Sequence, residues 1–341
     1  MNLLNLTSEE MRNEMSLLGL EEYRADQIFK WISKGVTDLS LMGGVPRKVR
    51  DAFEKDGIYA AVPRVVRSQT SSQDGTVKCL MEMEDGVRVE TVFMKYKYGN
   101  SVCISSQAGC RMGCVFCASG MNGLERSLTA GEMYGQILAI ENETNEKISH
   151  VVVMGIGEPM DNYESLSAFL NILNDPKGKG LSMRNITVST SGLIPKIDRF
   201  GSDFPQVNLA ISLHAVTDGE RSALMPVNRA YPLKDLMEAV RRYTDKTHRR
   251  VTFEYTLIRG VNDDDEHLRK LAALLKGMLC HVNLIPLNRV KGKEFEPGRE
   301  RTAYQFRDEL EKHGIPATVR RELGSDIDAA CGQLRLSGDN K

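Results

Sequence analysis

With 341 residues, 41% hydrophobic and 27% charged, the chain is long enough for one large domain plus an appendage, and its composition argues against disorder. Lys and Arg number 45 against 46 Asp and Glu, a formal charge of −1, which excludes a globally basic nucleic-acid binder and leaves any RNA contact to a local basic face. The early acidic residues of MNLLNLTSEEMRNEM and the lack of an uninterrupted apolar run of spanning length argue against a signal peptide and a membrane helix, so a cytoplasmic protein with no membrane partner is expected.

In chain order, Thr7-Ser8-Glu9-Glu10 predicts a helix start. Arg24 to Ser33 carries Ile28, Phe29 and Ile32 at helical spacing, and Gly43-Gly44 closes a further run before Pro46. Residues 1–75 are therefore expected to form a helical accessory domain and linker. Thr76 to Met83 and Val87 to Tyr96 alternate apolar and polar residues on either side of Glu84-Asp85-Gly86, which predicts a β-hairpin within 76–100. Over 101–325, six runs rich in Val, Ile and Thr (SVCIS, HVVVMGIG, NITVSTS, VNLAISLH, RVTFEYTLI, HVNLIPLN) alternate with helical stretches. That rhythm predicts an α/β fold with a parallel sheet curled into a partial barrel, whose chemistry collects at the carboxyl ends of the strands. Residues 326–341 remain as a C-terminal segment carrying Cys331.

The chain has seven cysteines, and in a reducing compartment an odd count suggests metal or redox chemistry before structural disulfides. Cys110-Arg-Met-Gly-Cys114-Val-Phe-Cys117 spaces three of them in the loop after the first barrel strand, with Gly109, Gly113 and Gly120 letting the backbone wrap a bulky inorganic group. Structural zinc commonly takes four protein ligands. Three thiolates instead hold three corners of a [4Fe–4S] cluster and leave one iron open for the amino and carboxylate groups of S-adenosylmethionine (SAM). Buried cysteines without metal, and a zinc site, are the competing readings. The triplet resembles the signature of the radical SAM superfamily, which implies a partial (β/α)6 barrel and a 5′-deoxyadenosyl radical made from SAM.

Further stretches resemble one branch, the RlmN/Cfr family of RNA adenosine methyltransferases: VETV (89–92), VCISSQAGC (102–110), MGIGEP (154–159), TVSTSG (187–192), ISLH (211–214), HVNLIPLN (281–288) and DIDAACGQL (326–334). As residue types, Gly155 and Gly157 allow close backbone approach to a ligand, or simply make a tight βα turn. The resemblance places Gly157 and Glu158 at the amino group of SAM and Ser189 at its carboxylate or ribose. It places Ser212, Leu213 and His214 along the same pocket, with Asn288 as a further SAM or substrate contact. The Arg289-Val290 that follows departs from the proline found in many relatives, which leaves the shape of that loop open.

Cys103 and Cys331, taken singly, fit small buried core positions, the reading kept for Cys79 and Cys280. The resemblance implies instead that the Cys331 thiolate takes a methyl group from a first SAM and that a second SAM is cleaved at the cluster. A methylene radical on Cys331 then adds to C2 of adenine. Cys103 releases the product by closing a disulfide with Cys331, which a disulfide reductant must reopen. Glu90 matches the family's proton acceptor and otherwise reads as a solvated strand carboxylate; the division of proton removal between Glu90 and Cys103 stays open.

The implied partners are 23S rRNA, tRNA as a further substrate, and an electron donor. Because C2 is reached only when the base leaves its stack, a looped or early-assembling RNA is the expected target. Arg47, Lys48, Arg50, Arg64, Arg67, Lys95, Lys97, Arg241, Arg242, Lys291 and Lys293 are candidate phosphate contacts that also fit ordinary solvated surface. Glu158-Pro159, Thr190-Ser191-Gly192 and Leu284-Ile285-Pro286 resemble the C2 enzymes, with C8 methylation of the Cfr type as the alternative. Two readings from other classes compete: a non-catalytic iron–sulfur or zinc protein that binds RNA, and a radical SAM enzyme acting on protein or metabolite.

Overall fold

The computed structural model describes residues 1–288, 294–298, 300–330 and 332–334, so Cys331, the Arg289-Val290 pair, Lys291 and Lys293 lie outside the described residues. Thr7 caps the first long helix reciprocally: its hydroxyl accepts from the Glu10 amide, and the Glu10 carboxylate accepts from the Thr7 amide at 2.8 Å. Helices α1 (Ser8–Leu17), α2 (Tyr23–Ile32) and α3 (Arg47–Lys55) follow. They turn Met11, Met15, Ile28, Phe29, Val49 and Phe53 inward at helical spacing.

The strands are β1 (Arg64–Thr70), β2 (Val77–Glu82), β3 (Arg88–Tyr96), β4 (Gly99–Ile104), β5 (Gln107–Gly109), β6 (Leu124–Ser127), β7 (His150–Val153), β8 (Ile186–Thr190), β9 (Asn208–Ser212), β10 (Val251–Leu257), β11 (Cys280–Pro286) and β12 (Ala317–Val319). Crossing between them run α4 (Ala130–Thr144), α5 (Tyr163–Asn174), α6 (Ile194–Asp203), α7 (Asp218–Leu224), α8 (Leu233–Thr247), α9 (Asp265–Leu275) and α10 (Glu300–Lys312). One sheet takes the order β1-β2-β3-β4-β7-β8-β9-β10-β11-β12, and β5 pairs with β6 apart from it. From β1 to β4 the neighbours are antiparallel; from β4 to β12 they are parallel.

The six strand runs expected from sequence are β4 and β7 to β11, each followed by its helix, and with β12 they make up the parallel half of the sheet. β1, β5, β6 and β12 were not foreseen. β1 is an edge strand with mostly exposed or half-buried residues, so it lacks a buried apolar row, and β12 has three residues, too few for a period to show. Buried on both faces, the parallel strands read as near-continuous runs, as in VTFEYTL of β10. Their outer face carries Phe253 and Tyr255 against the helices, Tyr255 stacking on Phe306 of α10 with ring centroids 6.3 Å apart. Their inner face carries Ser189, Ser212, Glu254 and Thr256.

The N-terminal helices share this core. The Gly131 amide at the start of α4 donates to Asn5 Oδ1 at 2.7 Å, and a Cβ on Gly135 would sit 2.5 Å from the Pro63 ring. No described helix is long and apolar enough to cross a membrane.

Candidate active site

The carboxyl ends of the parallel strands open into a cavity of about 1280 Å3, counted with its mouth. Cys103, Cys110, Cys114, Cys117, Gly157, Glu158, Ser189, Ser212, His214 and Asn288 all line it. Leu213 does not; it is buried behind the wall, its amide donating to the Glu254 carbonyl at 3.0 Å and its carbonyl accepting from Arg221 at 3.3 Å. Glu90 is buried rather than solvated, its Oε1 lying 3.3 Å from Lys78 Nζ. Of the cysteine proposed to carry the methyl group only the neighbours are described: Ala330 and Gly332 line the cavity.

The cysteine loop is held from several sides. The Cys110 amide donates to the Gly123 carbonyl at 2.9 Å and the Val115 amide to the Leu224 carbonyl at 3.0 Å. Arg111 grips Asp161 with two bonds of 2.7 and 2.6 Å, tying the loop to the turn after β7. Burial pushes the Cys110 thiol up to about 12 and raises that of Cys114 as well. Thiols so buried become thiolates only when something offsets their charge, as a bound metal does. Among the described residues no three His, Cys, Asp or Glu side chains form a cage for a single ion; thiolates bound to three separate irons of one cluster need none. The donor set therefore fits an iron–sulfur cluster.

Opposite the loop stands the turn after β7. Gly157 has φ 106°, and a Cβ there would lie 2.6 Å from Gln107 Cβ, so both conformation and space require glycine. The Glu158 carboxylate is buried; its oxygens accept from the Met160 amide at 3.1 Å and the Ser191 amide at 2.7 Å. Burial nevertheless raises its pKa, a shift that a cation seated against its remaining lone pairs would reverse. His214 accepts the Thr256 amide on Nδ1 at 3.0 Å, which leaves Nε2 to carry the proton. Burial, with Arg221 nearby, lowers its pKa to about 3, and its ring meets Phe116 of the cysteine loop edge-on at 4.9 Å.

Two side chains that carry no motif organise this wall. Arg221 is fully buried and donates to the carbonyls of Ser191 (2.6 Å), Ser212 (3.0 Å) and Leu213 (3.3 Å) and to Asn228 Oδ1 (3.0 Å), so one guanidinium ties the ends of β8 and β9 together. Glu254 lines the cavity from β10, accepts from Asn283 Nδ2 at 2.8 Å, and lies 3.9 Å from Arg320. Neither residue sits in a recognisable pattern, and burial of a lone charge cannot be seen in one sequence.

The C-terminal segment is pinned on both sides of Cys331. Upstream, the turn between β1 and β2 and the start of β2 take it: the Ser72 amide donates to Asp326 Oδ2 at 3.0 Å, the Gly324 amide to Asp74 Oδ2 at 2.9 Å, and Lys78 Nζ to the Asp328 carbonyl at 3.1 Å. Downstream, the cysteine loop takes it: the Ala118 amide donates to the Gly332 carbonyl and Ser119 Oγ to the Leu334 carbonyl, both at 2.9 Å.

The chain is similar to known proteins in sequence and in fold. The family model described as the radical SAM superfamily matches residues 104–272, and that described as a ribosomal RNA large subunit methyltransferase N-terminal domain matches residues 1–56. The chain is 49% identical over 338 residues to the "Probable dual-specificity RNA methyltransferase RlmN" of Geobacillus kaustophilus (strain HTA426), covering 98% of this chain and 92% of that protein. It is 47% identical, with the same coverage, to the protein of that name from Staphylococcus aureus (strain bovine RF122 / ET3-1). The crystal structure of a radical SAM methyltransferase from Sphaerobacter thermophilus matches with a TM-score of 0.94 at 45% identity, over 99% of this chain and 100% of that one. With identity this high over nearly its full length, and with both family models matched, the chain belongs to the RlmN family of radical SAM RNA methyltransferases.

Proposed function

We propose that this SAM-dependent RNA methyltransferase acts on C2 of an adenosine in 23S rRNA, and on adenosine in tRNA, through a methylated Cys331 and a Cys103–Cys331 disulfide. Cys110, Cys114 and Cys117 would hold the [4Fe–4S] cluster, with Gly157, Glu158, Ser189, Ser212, His214 and Asn288 forming the SAM pocket and Leu213 supporting it from behind the wall. When bound, the cluster supplies the electron that splits SAM reductively. The observation that carries the reading is the pinning of the residues flanking Cys331 against the cavity that Cys103 and the three loop cysteines share.

The residues of the chain divide the work. Glu158 receives the ammonium of SAM, and neutral His214 offers Nε2–H to an acceptor. The Cys331 thiolate attacks the methyl group of SAM, forming a thioether and releasing S-adenosylhomocysteine. The 5′-deoxyadenosyl radical released from a second SAM takes a hydrogen atom from that methyl and leaves as 5′-deoxyadenosine, and the resulting methylene radical bonds to C2 and tethers the base. Removal of the C2 proton, by Glu90 or Cys103, and transfer of one electron from the adduct to an electron-transfer partner prepare it for cleavage. The Cys103 thiolate then attacks the sulfur of Cys331, closing the disulfide as the S–CH2 bond breaks and the methylene carbon takes a proton.

Mass spectrometry of nucleosides from 23S rRNA and tRNA of cells with and without the protein tests this. It should find 2-methyladenosine in both RNAs only when the protein is present, and none with Cys331→Ala. Protein-dependent 8-methyladenosine would overturn the C2 assignment.

A further inference from the structure

Lys78 belongs to none of the motifs above, yet its position is unusual. Across the sheet it pairs with Val92, which pairs with Cys103, so the three side chains stand in one row on one face, with neighbouring strands about 4.8 Å apart. Val92 and Cys103 both line the cavity. Lys78 is 7% exposed. An ammonium taken this far from water is costly unless its donors are engaged, and here two partners take them: Glu90 Oε1 at 3.3 Å and the Asp328 carbonyl at 3.1 Å. Asp328 lies three residues before Cys331 and holds a left-handed backbone, φ 52°, rare for a residue with a Cβ and kept only where contacts impose it.

We infer that Lys78 is a positioning residue for methyl transfer, fixing the chain that leads to Cys331 against the Glu90 carboxylate and beside the row that contains Cys103. A buried ion pair contributes little net stability, so its use here is geometric. One ammonium joins the proposed proton acceptor to the backbone of the segment that bears the methyl-carrying thiol. If the Asp328 carbonyl is released, the segment loses its last described bond to β1, β2 and the turn between them before Cys331, while the cysteine loop and the turn after β7 keep theirs. SAM cleavage and delivery of the methylene to the base should then separate. The inference rests on the thiol route proposed above.

The experiment uses reconstituted holoenzyme carrying Lys78→Gln or Lys78→Arg, with 5′-deoxyadenosine, methylated adenosine and methylation of Cys331 measured in the same reactions. Lys78→Gln should form 5′-deoxyadenosine within about twofold of wild type, yet yield about tenfold less methylated adenosine per 5′-deoxyadenosine; Lys78→Arg should restore that ratio to within about threefold. An unchanged ratio in Lys78→Gln, with methylated Cys331 found in the wild type, overturns the positioning role alone. Loss of SAM cleavage and methylation together in both variants also overturns it, since that marks a merely structural residue. Absence of methylated Cys331 from the wild type overturns the thiol route and this inference with it.

Discussion

Cys103 and Cys331 take opposite ends of the proposed reaction, so removing each should strand it at a different point. Cys331→Ala should abolish methylated adenosine while reductive SAM cleavage persists, because the loop cysteines and the Glu158 turn do not depend on the missing thiol. Cys103→Ala should leave the base tethered, detectable as a protein–RNA adduct on a denaturing gel; free methylated RNA at the wild-type rate would remove Cys103 from product release. His214 allows a pH test. Its folded pKa, lowered by burial to about 3 from an ordinary 6.5, means that the unfolded chain binds the proton more readily. The stability it contributes is complete above 6.5 and is lost as pH falls toward 3. Thermal unfolding should show wild type losing about 1.4 kcal/mol more than His214→Gln between about pH 7.5 and about pH 5.5. The spacing of the cysteine triplet marks it in the sequence, whereas Glu158 and His214 stand out only through the family resemblance, since alone they read as a tight turn and a packing residue. Arg221, Glu254 and Lys78 stand out in neither way, since a single charged residue looks the same in sequence whether it faces solvent or a cavity.

The turn between β1 and β2 has the clearest element-scale role in the structure, and it had no sequence signal. It joins an edge strand, where apolar alternation fades, to the predicted hairpin, and its Ser72 and Asp74 read as ordinary turn residues until they meet residues 250 or more positions away. The six βα runs, by contrast, were legible because strands buried on both faces must be apolar nearly throughout. Asp74→Ala should free the Gly324 amide and loosen the short turn in which the Ile327 and Ala329 amides both donate to the Gly324 carbonyl. Hydrogen exchange at those amides should quicken about tenfold, as expected for a charge-assisted bond worth about 1.5 kcal/mol, while β8 and β9 keep their protection. Unchanged exchange at Ile327 and Ala329 would mean that the segment holds its shape without the turn.

For the molecule as a whole, the balance of charge poses the question of RNA affinity: a chain of formal charge −1 gains nothing from long-range attraction. Several basic residues chosen from sequence are already paired in the fold, Lys95 with Glu146 at 2.7 Å, Arg242 with Asp198 at 2.8 Å, and Arg64 with Glu82. Such pairs present little net charge to a phosphate. Arg321 differs: it is exposed and shares a depression beside the mouth of the cavity with Tyr96 and Asn288. RNA that delivers a base to the cavity from this side passes its backbone over this rim. Each phosphate neutralised releases counterions, so Arg321→Ala should lower the slope of log affinity against log salt by about 1, whereas Arg242→Ala should change it by about 0. Equal changes in the two slopes would mean that RNA does not approach across this rim, and that the basic residues of the flank carry its phosphates instead.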